Sequence, residues 1–290
     1  MNWQRHFQKS LRINEPLSSH TSFKVGGPAQ FWVEPEGLSD LQNLVNLAYK
    51  KKIPLRVIGA GSNILADDKG IKGIVLKLNS PYFKRITVRH QIVSAYAGAR
   101  LVCLVRLVLE NGLSGFELLG GIPGTVGGAL IMNAGNIGDN VLNVSVMDRQ
   151  GKVKILRRED IRFGYRDSSL TRYIILSAQF KLIKRDKRTI KKRIGEYLEY
   201  RKRTQDLSWP SAGCVFKNPN LNSAGYFIER CGLKGCSVGD AAVSFKHANF
   251  IINRGKARSA DILKLMRCIT RCVRKRFNLD LEPEIKIWKN

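Results

Sequence analysis

Acidic residues are scarce in this 290-residue chain: 23 Asp and Glu stand against 50 Lys and Arg, a formal net charge of +27. Such an excess predicts attraction to anions, whether nucleic acid, nucleotides or a membrane surface. The chain also lacks an apolar run of membrane-spanning length; the longest candidate, Leu101 to Leu109, is broken by Arg106. The opening Met1-Asn2-Trp3-Gln4-Arg5-His6 has no apolar signal-peptide core. The expectation is therefore a cytoplasmic protein without a membrane partner. Six cysteines form no CxxC pair and no dense framework, which suits reduced thiols. Cys231 and Cys236 are too far apart, and Cys268 and Cys272 too isolated from any histidine pair, for a zinc set, so no metal is expected. Internal repeats and low-complexity segments are missing as well. With 43% hydrophobic residues, the length suffices for two or three domains and a substantial core.

The positive charge thickens between Lys184 and Arg203. A nucleic-acid footprint is one reading of that run. The other is a solvated helix, favoured because no aromatic residues interleave Lys184 to Arg193 for base stacking. Ile190, Ile194 and Leu198 would form the thin apolar side of that helix. Residues 1–22 read as a lead-in with little periodicity.

What is abundant is glycine in particular places. Gly120 to Gly135 is too glycine-rich for an ordinary helix and too apolar for a solvent loop. Repeated glycine permits close backbone approach and leaves N–H groups to point at an anion. A wall around a large, flat, phosphate-bearing cofactor and a tightly packed loop without ligand both fit. Gly59-Ala60-Gly61-Ser62-Asn63, just past the strand Pro54 to Ile58, reads equally as a phosphate-binding turn or a plain tight turn. It lacks the third glycine of the Rossmann fingerprint and the acidic ribose partner about 20 residues on.

Around these stretches the pattern alternates strands and helices. Thr21 to Ala29 reads as a short strand ending in a Gly-Gly-Pro turn. Phe31 to Val33, a helix opened by Ser39 with Gln42 as in a capping box, and Pro54 to Ile58 read as a βαβ unit. Leu41, Leu44, Val45 and Ala48 form the stripe of that helix. Gly73 to Leu78 is a strand, and Arg85 to Val88 with Ile92 to Ala97 a hairpin. Leu101, Leu104, Val105 and Val108 mark a second helix, stopped by Asn111-Gly112. Val144 to Met147 and Val153 to Leu156 form another hairpin, Phe163 to Ser168 a polar and aromatic loop, and Tyr173 to Leu182 a strand. After a boundary near Thr204 to Ser211 come a short helix near Ala224 to Cys231, strands around Ala242 to Asn253 and a helix from Ser259. Leu281 to Ile287 alternates as a strand, with Glu282, Glu284 and Lys286 on one face.

Taken together, these stretches resemble the UDP-N-acetylenolpyruvoylglucosamine reductase (MurB) family, the FAD enzymes of bacterial peptidoglycan synthesis. The resemblance runs from about Thr21 to Lys286. Phe23 to Ala29, Gly59 to Asn63, Gly121 to Gly135, Phe163 to Ser168, Ser211 to Pro219 and Leu281 to Glu284 carry it. The compact segment after Asn218 resembles the shorter subclass without a tyrosine-bearing insertion. The resemblance implies an α+β chain. Its FAD-binding part would have two lobes of the vanillyl-alcohol-oxidase type (residues 1–80 and 81–203), followed by a smaller α+β substrate domain (204–290). The strand carrying Glu284 is a candidate to pack back on the second lobe. Implied flavin contacts are Gly59, Gly61, Ser62 and Asn63 in the first turn. In the wall they are Gly121, Ile122, Pro123, Gly124, Thr125, Gly127, Gly128, Asn133 and Gly135.

The implied reaction is NADPH-dependent: NADPH reduces the flavin, which gives hydride to the enolpyruvyl C3 of the UDP-sugar, and C2 is then protonated. Arg166 matches the family's guanidinium beside the carboxylate on which charge builds; otherwise it is a structural partner of Asp167. Glu284 matches the family's acidic group; otherwise it is an exposed strand residue. Cys214 stands where the family most often has serine, and a thiol, with a reference pKa near 8.5, is the stronger acid. As the proton donor it would also be open to oxidation; the alternative is a small buried hydrophobe. Asn218, with Lys217 beside it, matches a contact to the UDP portion, and Lys202 lies among basic residues facing the diphosphate. Lys286 replaces a common arginine, and Gln205-Asp206 replaces Gln-Pro at the hinge into the last domain. The chain is expected to act as a monomer, without nucleic acid. The alternatives are a flavin oxidoreductase of the same fold with another substrate, and a non-catalytic basic nucleic-acid-binding protein.

Overall fold

A computed structural model describes Phe7 and residues 10–290. Residues 1–6, 8 and 9, the first part of the expected lead-in, lie outside the described residues. The chain forms two compact units. One holds the chain up to Ile13, Phe31–Ala60 and Gly73–Tyr200; the other holds Asn14–Gln30, Gly61–Lys72 and Arg201–Asn290.

In the first unit, helix α1 (Leu38–Lys50) buries Leu41, Leu44, Val45 and Ala48, the stripe expected from spacing. Its N-cap is Gly37, not Ser39, and no side chain caps it. Gln42 is not part of a capping box: its Nε2 donates to the Gly151 carbonyl at 3.4 Å. Leu55–Ile58 pairs in parallel with Ile71–Lys77, Leu55 opposite Ile74. In the four-stranded sheet Leu11–Pro16, Pro28–Val33, Ile71–Lys77, Leu55–Ile58, the two outer strands of the expected βαβ unit are therefore not neighbours. Helix α2 (Leu101–Glu110) buries Leu101, Leu104, Val105 and Val108 and ends at Asn111.

Both expected hairpins form and share one antiparallel sheet, in the order Val153–Arg157, Val141–Met147, Ile174–Lys181, Ile92–Tyr96, Ile86–Arg89. A register shift between Ile175 and Ser177 breaks its central ladder. Residues 126–132 of the glycine-rich stretch are a helix after all, α3 (Val126–Met132). Thr125 caps it by accepting from the Gly128 N–H, and burial of Val126, Ala129 and Leu130 outweighs the low helix propensity of its two glycines. The basic helix α4 (Lys187–Thr204) buries only Ile190.

In the second unit, the expected strand at 21–25 is a closed turn instead. Thr21 Oγ1 donates to the Val25 carbonyl at 2.7 Å, and Lys24 sits at φ +58°. An antiparallel sheet runs Ser211–Cys214, Phe250–Asn253, Ala241–Val243, Ser237–Val238. Helices α5 (Ala224–Arg230) and α6 (Ser259–Phe277) supply Phe227, Ile228, Ile262, Leu265, Ile269 and Val273 to the core with Phe23, Leu65, Val215, Phe216 and Ile251. The C-terminal strand is shorter than its alternation predicts, Lys286–Trp288, and pairs in parallel with Ile64–Ala66. Among the described residues no helix is long and apolar enough to cross a membrane.

Candidate active site

Within the first unit, two glycine-bearing segments far apart in sequence meet. A Cβ on Gly59 would lie 2.7 Å from Thr125 Oγ1, so the turn after Leu55–Ile58 rests directly on the cap of α3. The segment is moored on α2 and the strand Ile92–Tyr96. Leu101 N–H donates to the Gly124 carbonyl at 3.0 Å, and the N–H groups of Val126 and Gly127 donate to Ala99 and Ala97, both at 2.9 Å. Ile122 N–H donates to Leu119 at 3.1 Å. The N–H groups of Ile122, Gly127 and Gly128 thus engage protein acceptors. Gly121 and Gly135 take positive φ, +74° and +56°, and a Cβ on Gly135 would stand 2.7 Å from Leu119 Cδ2. Pro123 lies between the Ile122 and Gly124 contacts.

Asn133 closes α3 in the left-handed region at φ +44°. Its Oδ1 accepts from Gly138 N–H at 3.0 Å and its Nδ2 donates to the Gly164 carbonyl at 3.1 Å. Ser168 Oγ donates to the Ile131 carbonyl at 3.0 Å. These contacts fasten residues 163–168 to α3. The stretch, expected as a loop, is a tight hairpin pairing Phe163 with Ser168 and Gly164 with Asp167. Arg166 sits at its tip with φ +55°, its guanidinium 5.8 Å from the Tyr165 ring centre and its Nε buried. Asp167 pairs with Arg162 at 3.0 Å.

Beneath the stretch, buried Glu117 accepts from Ser114 Oγ at 2.6 Å and Gly115 N–H at 2.8 Å. Burial by itself would raise its pKa. The hydrogen bonds from Ser114 and the backbone, with the charge of Arg193, overcome that and hold it below the ordinary value.

In the second unit, Gly61 (φ +68°) allows its backbone against His20, whose carbonyl oxygen would be 1.9 Å from a Cβ there. Ser62 is half-buried. Asn63 serves the C-terminal segment: its carbonyl accepts from Lys286 N–H at 2.9 Å and its Nδ2 donates to the Glu284 carbonyl at 3.3 Å. Cys214 ends its strand opposite Phe250, after a register shift and Gly213 at φ +75°.

The next three residues zip onto the C-terminal segment. Glu284 N–H donates to Val215 at 2.8 Å, Phe216 bridges Pro283, and Lys217 N–H donates to Glu282 at 2.8 Å. The expected Cys214 and Glu284 segments are therefore neighbours by backbone pairing. Buried Asn249 locks this arrangement. Its Oδ1 accepts from Phe216 N–H at 3.0 Å, its Nδ2 donates to the Phe216 carbonyl at 2.8 Å, and its own carbonyl takes Val215 N–H at 2.9 Å. No sequence signal singled it out, because a lone Asn between apolar strands fits no motif.

Lys217 Nζ pairs with Glu282 at 2.7 Å. Asn218 Oδ1 accepts from Ala224 N–H at 3.1 Å, at the start of α5. Lys202 is exposed, and its carbonyl takes the Lys246 ammonium. All six cysteines are free, and among the described residues no group of three or more His, Cys, Asp or Glu is arranged to hold a metal ion. Cys236 and Cys272 both contact Cys268; burial first, then that neighbour, pushes both thiols above their ordinary pKa.

Comparison with known proteins adds two family matches. Residues 205–288 match the UDP-N-acetylenolpyruvoylglucosamine reductase C-terminal domain, and residues 29–157 match the FAD binding domain. The chain is 42% identical over 283 residues to UDP-N-acetylenolpyruvoylglucosamine reductase of Caldanaerobacter subterraneus subsp. tengcongensis, covering 96% of this chain and 93% of that protein. It is 43% identical over 281 residues to that of Geotalea uraniireducens, with the same two coverages. The crystal structure of the reductase from Thermus caldophilus superposes with a TM-score of 0.83 at 37% identity, covering 96% of this chain and all of that one. The fold is thus the expected mixed α+β one, with an FAD-binding domain of the vanillyl-alcohol-oxidase type. The chain belongs to the UDP-N-acetylenolpyruvoylglucosamine reductase family.

Proposed function

We propose that this protein reduces UDP-N-acetylenolpyruvoylglucosamine to UDP-N-acetylmuramate in peptidoglycan precursor synthesis, as a cytoplasmic monomer of the shorter subclass. The observation that carries the reading is the pairing of Val215 to Lys217 with Glu282 to Glu284, which makes neighbours of the two segments bearing Cys214 and Glu284. In this reading residues 1–80 and 81–203 are the FAD-binding lobes and 204–290 the substrate-binding domain.

The residues present fit FAD in one testable respect: the two expected phosphate-facing segments, at Gly59 and at Gly121 to Gly128, converge at Thr125, whose Oγ1 would lie 2.7 Å from a Cβ on Gly59. Gly59, Gly61, Ser62, Asn63 and the residues of Gly121 to Gly135 would hold the cofactor; Ile122, Gly127 and Gly128, whose N–H groups bond within the protein, would offer close backbone approach and not donors. FAD, when bound, supplies hydride that originates from NADPH.

This chain's own groups do the rest. Arg166 faces the enolpyruvyl carboxylate and stabilises the negative charge that builds there as C3 is reduced, more in the transition state than in the ground state. Cys214 then protonates C2: its S–H bond breaks, a C–H bond forms, and the electron pair stays on sulfur. Glu284 holds the substrate polarised, while Asn218, Lys217 and Lys202 bind the UDP portion.

The test is anaerobic. The purified flavoprotein is bleached with NADPH, and the UDP-enolpyruvyl sugar is added. Return of the oxidised flavin spectrum with appearance of the lactyl ether is the expected result. Bleaching without reoxidation by the sugar would point to another substrate on the same fold. Absence of flavin after FAD addition, with copurifying nucleic acid, would overturn the reading altogether. Cys214→Ala is expected to lower turnover about 100-fold or more, and Cys214→Ser to restore part of it.

A further inference from the structure

The segment Glu15 to Gly27 takes no part in the chemistry above, yet within the second unit it grips the turn Gly61 to Asn63. The Gly61 carbonyl accepts from Ser22 N–H at 3.1 Å, and the His20 carbonyl oxygen lies against Gly61 where a Cβ would stand 1.9 Å from it. On the other flank, Asn63 is held by Lys286 N–H and by the Glu284 carbonyl. Between these two anchors, the N–H groups of Gly61 and Ser62 make no hydrogen bond among the described residues. Two adjacent backbone donors left over in a turn are suited to the oxygens of a phosphate.

The grip is itself braced. Leu17–Ser19 is one tight helical turn, and His20 N–H closes it by donating to the Leu17 carbonyl at 2.8 Å. The turn sits on the glycine pair. Leu17 N–H donates to Gly27 at 3.0 Å and Ser18 N–H to Gly26 at 3.1 Å, while a Cβ on Gly27 would lie 2.1 Å from the Asp68 carbonyl oxygen. Leu17 and Phe23 are fully buried, and Asn253 Nδ2 donates to the Phe23 carbonyl at 2.9 Å. One side-chain pair spans the turn from end to end: His20 Nε2 donates to Glu15 Oε1 at 2.7 Å, with the two side chains only 13% and 18% exposed. A carboxylate only accepts, so Nε2 carries the hydrogen and the imidazole is held in one orientation.

We infer that Glu15 and His20 are positioning residues for the diphosphate of FAD: their pair fixes the backbone of His20 to Ser22, which in turn sets where the Gly61 and Ser62 donors point. The identity of the ligand rests on the function proposed above; the clasp itself does not. Neither side chain has to touch the cofactor. Gly61, at φ +68° and without a side chain of its own to pack, takes its place from the backbone laid against it. Donors fixed before the ligand arrives lose little conformational freedom on binding, so loosening the clasp lowers affinity more than it disturbs the fold.

The experiment follows FAD dissociation from the full-length holoprotein, by flavin fluorescence on dilution, together with the phosphorus NMR resonances of the bound diphosphate. His20→Ala is expected to raise the FAD Kd about tenfold, the effect of losing one charge-assisted hydrogen bond. Glu15→Ala should match it, and the double variant should be no weaker than either single one, because the pair is broken only once. His20→Gln, whose amide N–H can still donate to a carboxylate, recovers part of the affinity and returns the diphosphate resonances toward their wild-type positions, a rescue that a purely structural role would not produce. Glu15→Gln keeps the shape of the side chain and carries the same test should His20→Ala fail to fold. Wild-type affinity with unmoved diphosphate resonances in a folded His20→Ala or Glu15→Gln overturns the proposal, and so do losses that multiply in the double variant. A wild-type protein that binds no FAD overturns the cofactor reading as well. If FAD is lost as expected but the sugar is not turned over by the wild type, the clasp stands and the substrate proposed above falls.

Discussion

Gly120 to Gly135, which contains α3, and Ser211 to Asn218, which opens with a strand, are built on opposite principles. The first is shaped by missing side chains: a Cβ on Gly59 or Gly135 would stand 2.7 Å from Thr125 Oγ1 or Leu119 Cδ2, and the backbone is bonded to Ala97 and Ala99. The second is shaped by one side chain that is present. Asn249 satisfies both backbone groups of Phe216 and so lets Val215 to Lys217 pair with Glu282 to Glu284. An added Cβ at Gly59 or Gly135 in the first forces a neighbouring side chain to shift, whereas removing the amide in the second leaves buried backbone groups unpaired.

The sharpest way to break that contrast is Asn249→Ala. It strips two partners from Phe216 in a buried setting, and the expected cost is about 3 kcal/mol, read as a lower thermal midpoint with turnover reduced further than stability. Unchanged stability would mean that the pairing with residues 282–284 does not depend on Asn249. Next comes Gly59→Ala, which places a methyl 2.7 Å from Thr125 Oγ1. About 2 kcal/mol of destabilisation is expected from overpacking, together with weaker FAD retention. Thr125→Ala alone loses the cap of α3 for about 1 kcal/mol. Combined with Gly59→Ala it should cost less than the sum of the two, because the atom that clashes is gone; strict additivity would show that the two segments do not touch.

A smaller effect probes the ground beneath the glycine-rich stretch by pH. Glu117 is held below the ordinary value of 4.5, so it contributes stability that is present above that value and lost as pH falls through its lower folded value. In acid titrations monitored by fluorescence, Glu117→Gln should remove that pH dependence in the window below 4.5 while costing stability near neutrality. The smallest effect concerns thiols. Cys236 and Cys272, raised by burial and by their neighbour Cys268, should alkylate more slowly at neutral pH than a free cysteine peptide. Alkylation as fast as the free peptide would mean that burial does not hold these thiols protonated.

Local periodicity carried the regular elements. The stripes of α1 and α2 and the strands of both hairpins were legible because a helix or a tight hairpin is decided by residues a few positions apart. The capping box at Ser39 failed because an exposed turn offers several equivalent starts, and the strand at Thr21 failed because Thr21 bonds back to Val25. The helix within the glycine-rich stretch was misread for a related reason: glycine content measures intrinsic cost, whereas burial of Val126, Ala129 and Leu130 settles the outcome. Arg166, Cys214 and Glu284 stand out only through the family resemblance of the motifs that carry them; their residue types alone do not mark them.

What the sequence determined by itself, then, is the apolar stripes of α1 and α2 and the strands of the two hairpins, since those depend on near neighbours. The tertiary structure alone decided that Asp167 pairs with Arg162, that Arg166 stands at a hairpin tip, and that Asn249 anchors the residues after the Cys214 strand. Each of these is a choice among many chemically equivalent partners along the chain. Only the three-dimensional packing of elements distant in sequence makes that choice, because a hydrogen bond or ion pair acts over a few ångströms of space and carries no trace in sequence spacing.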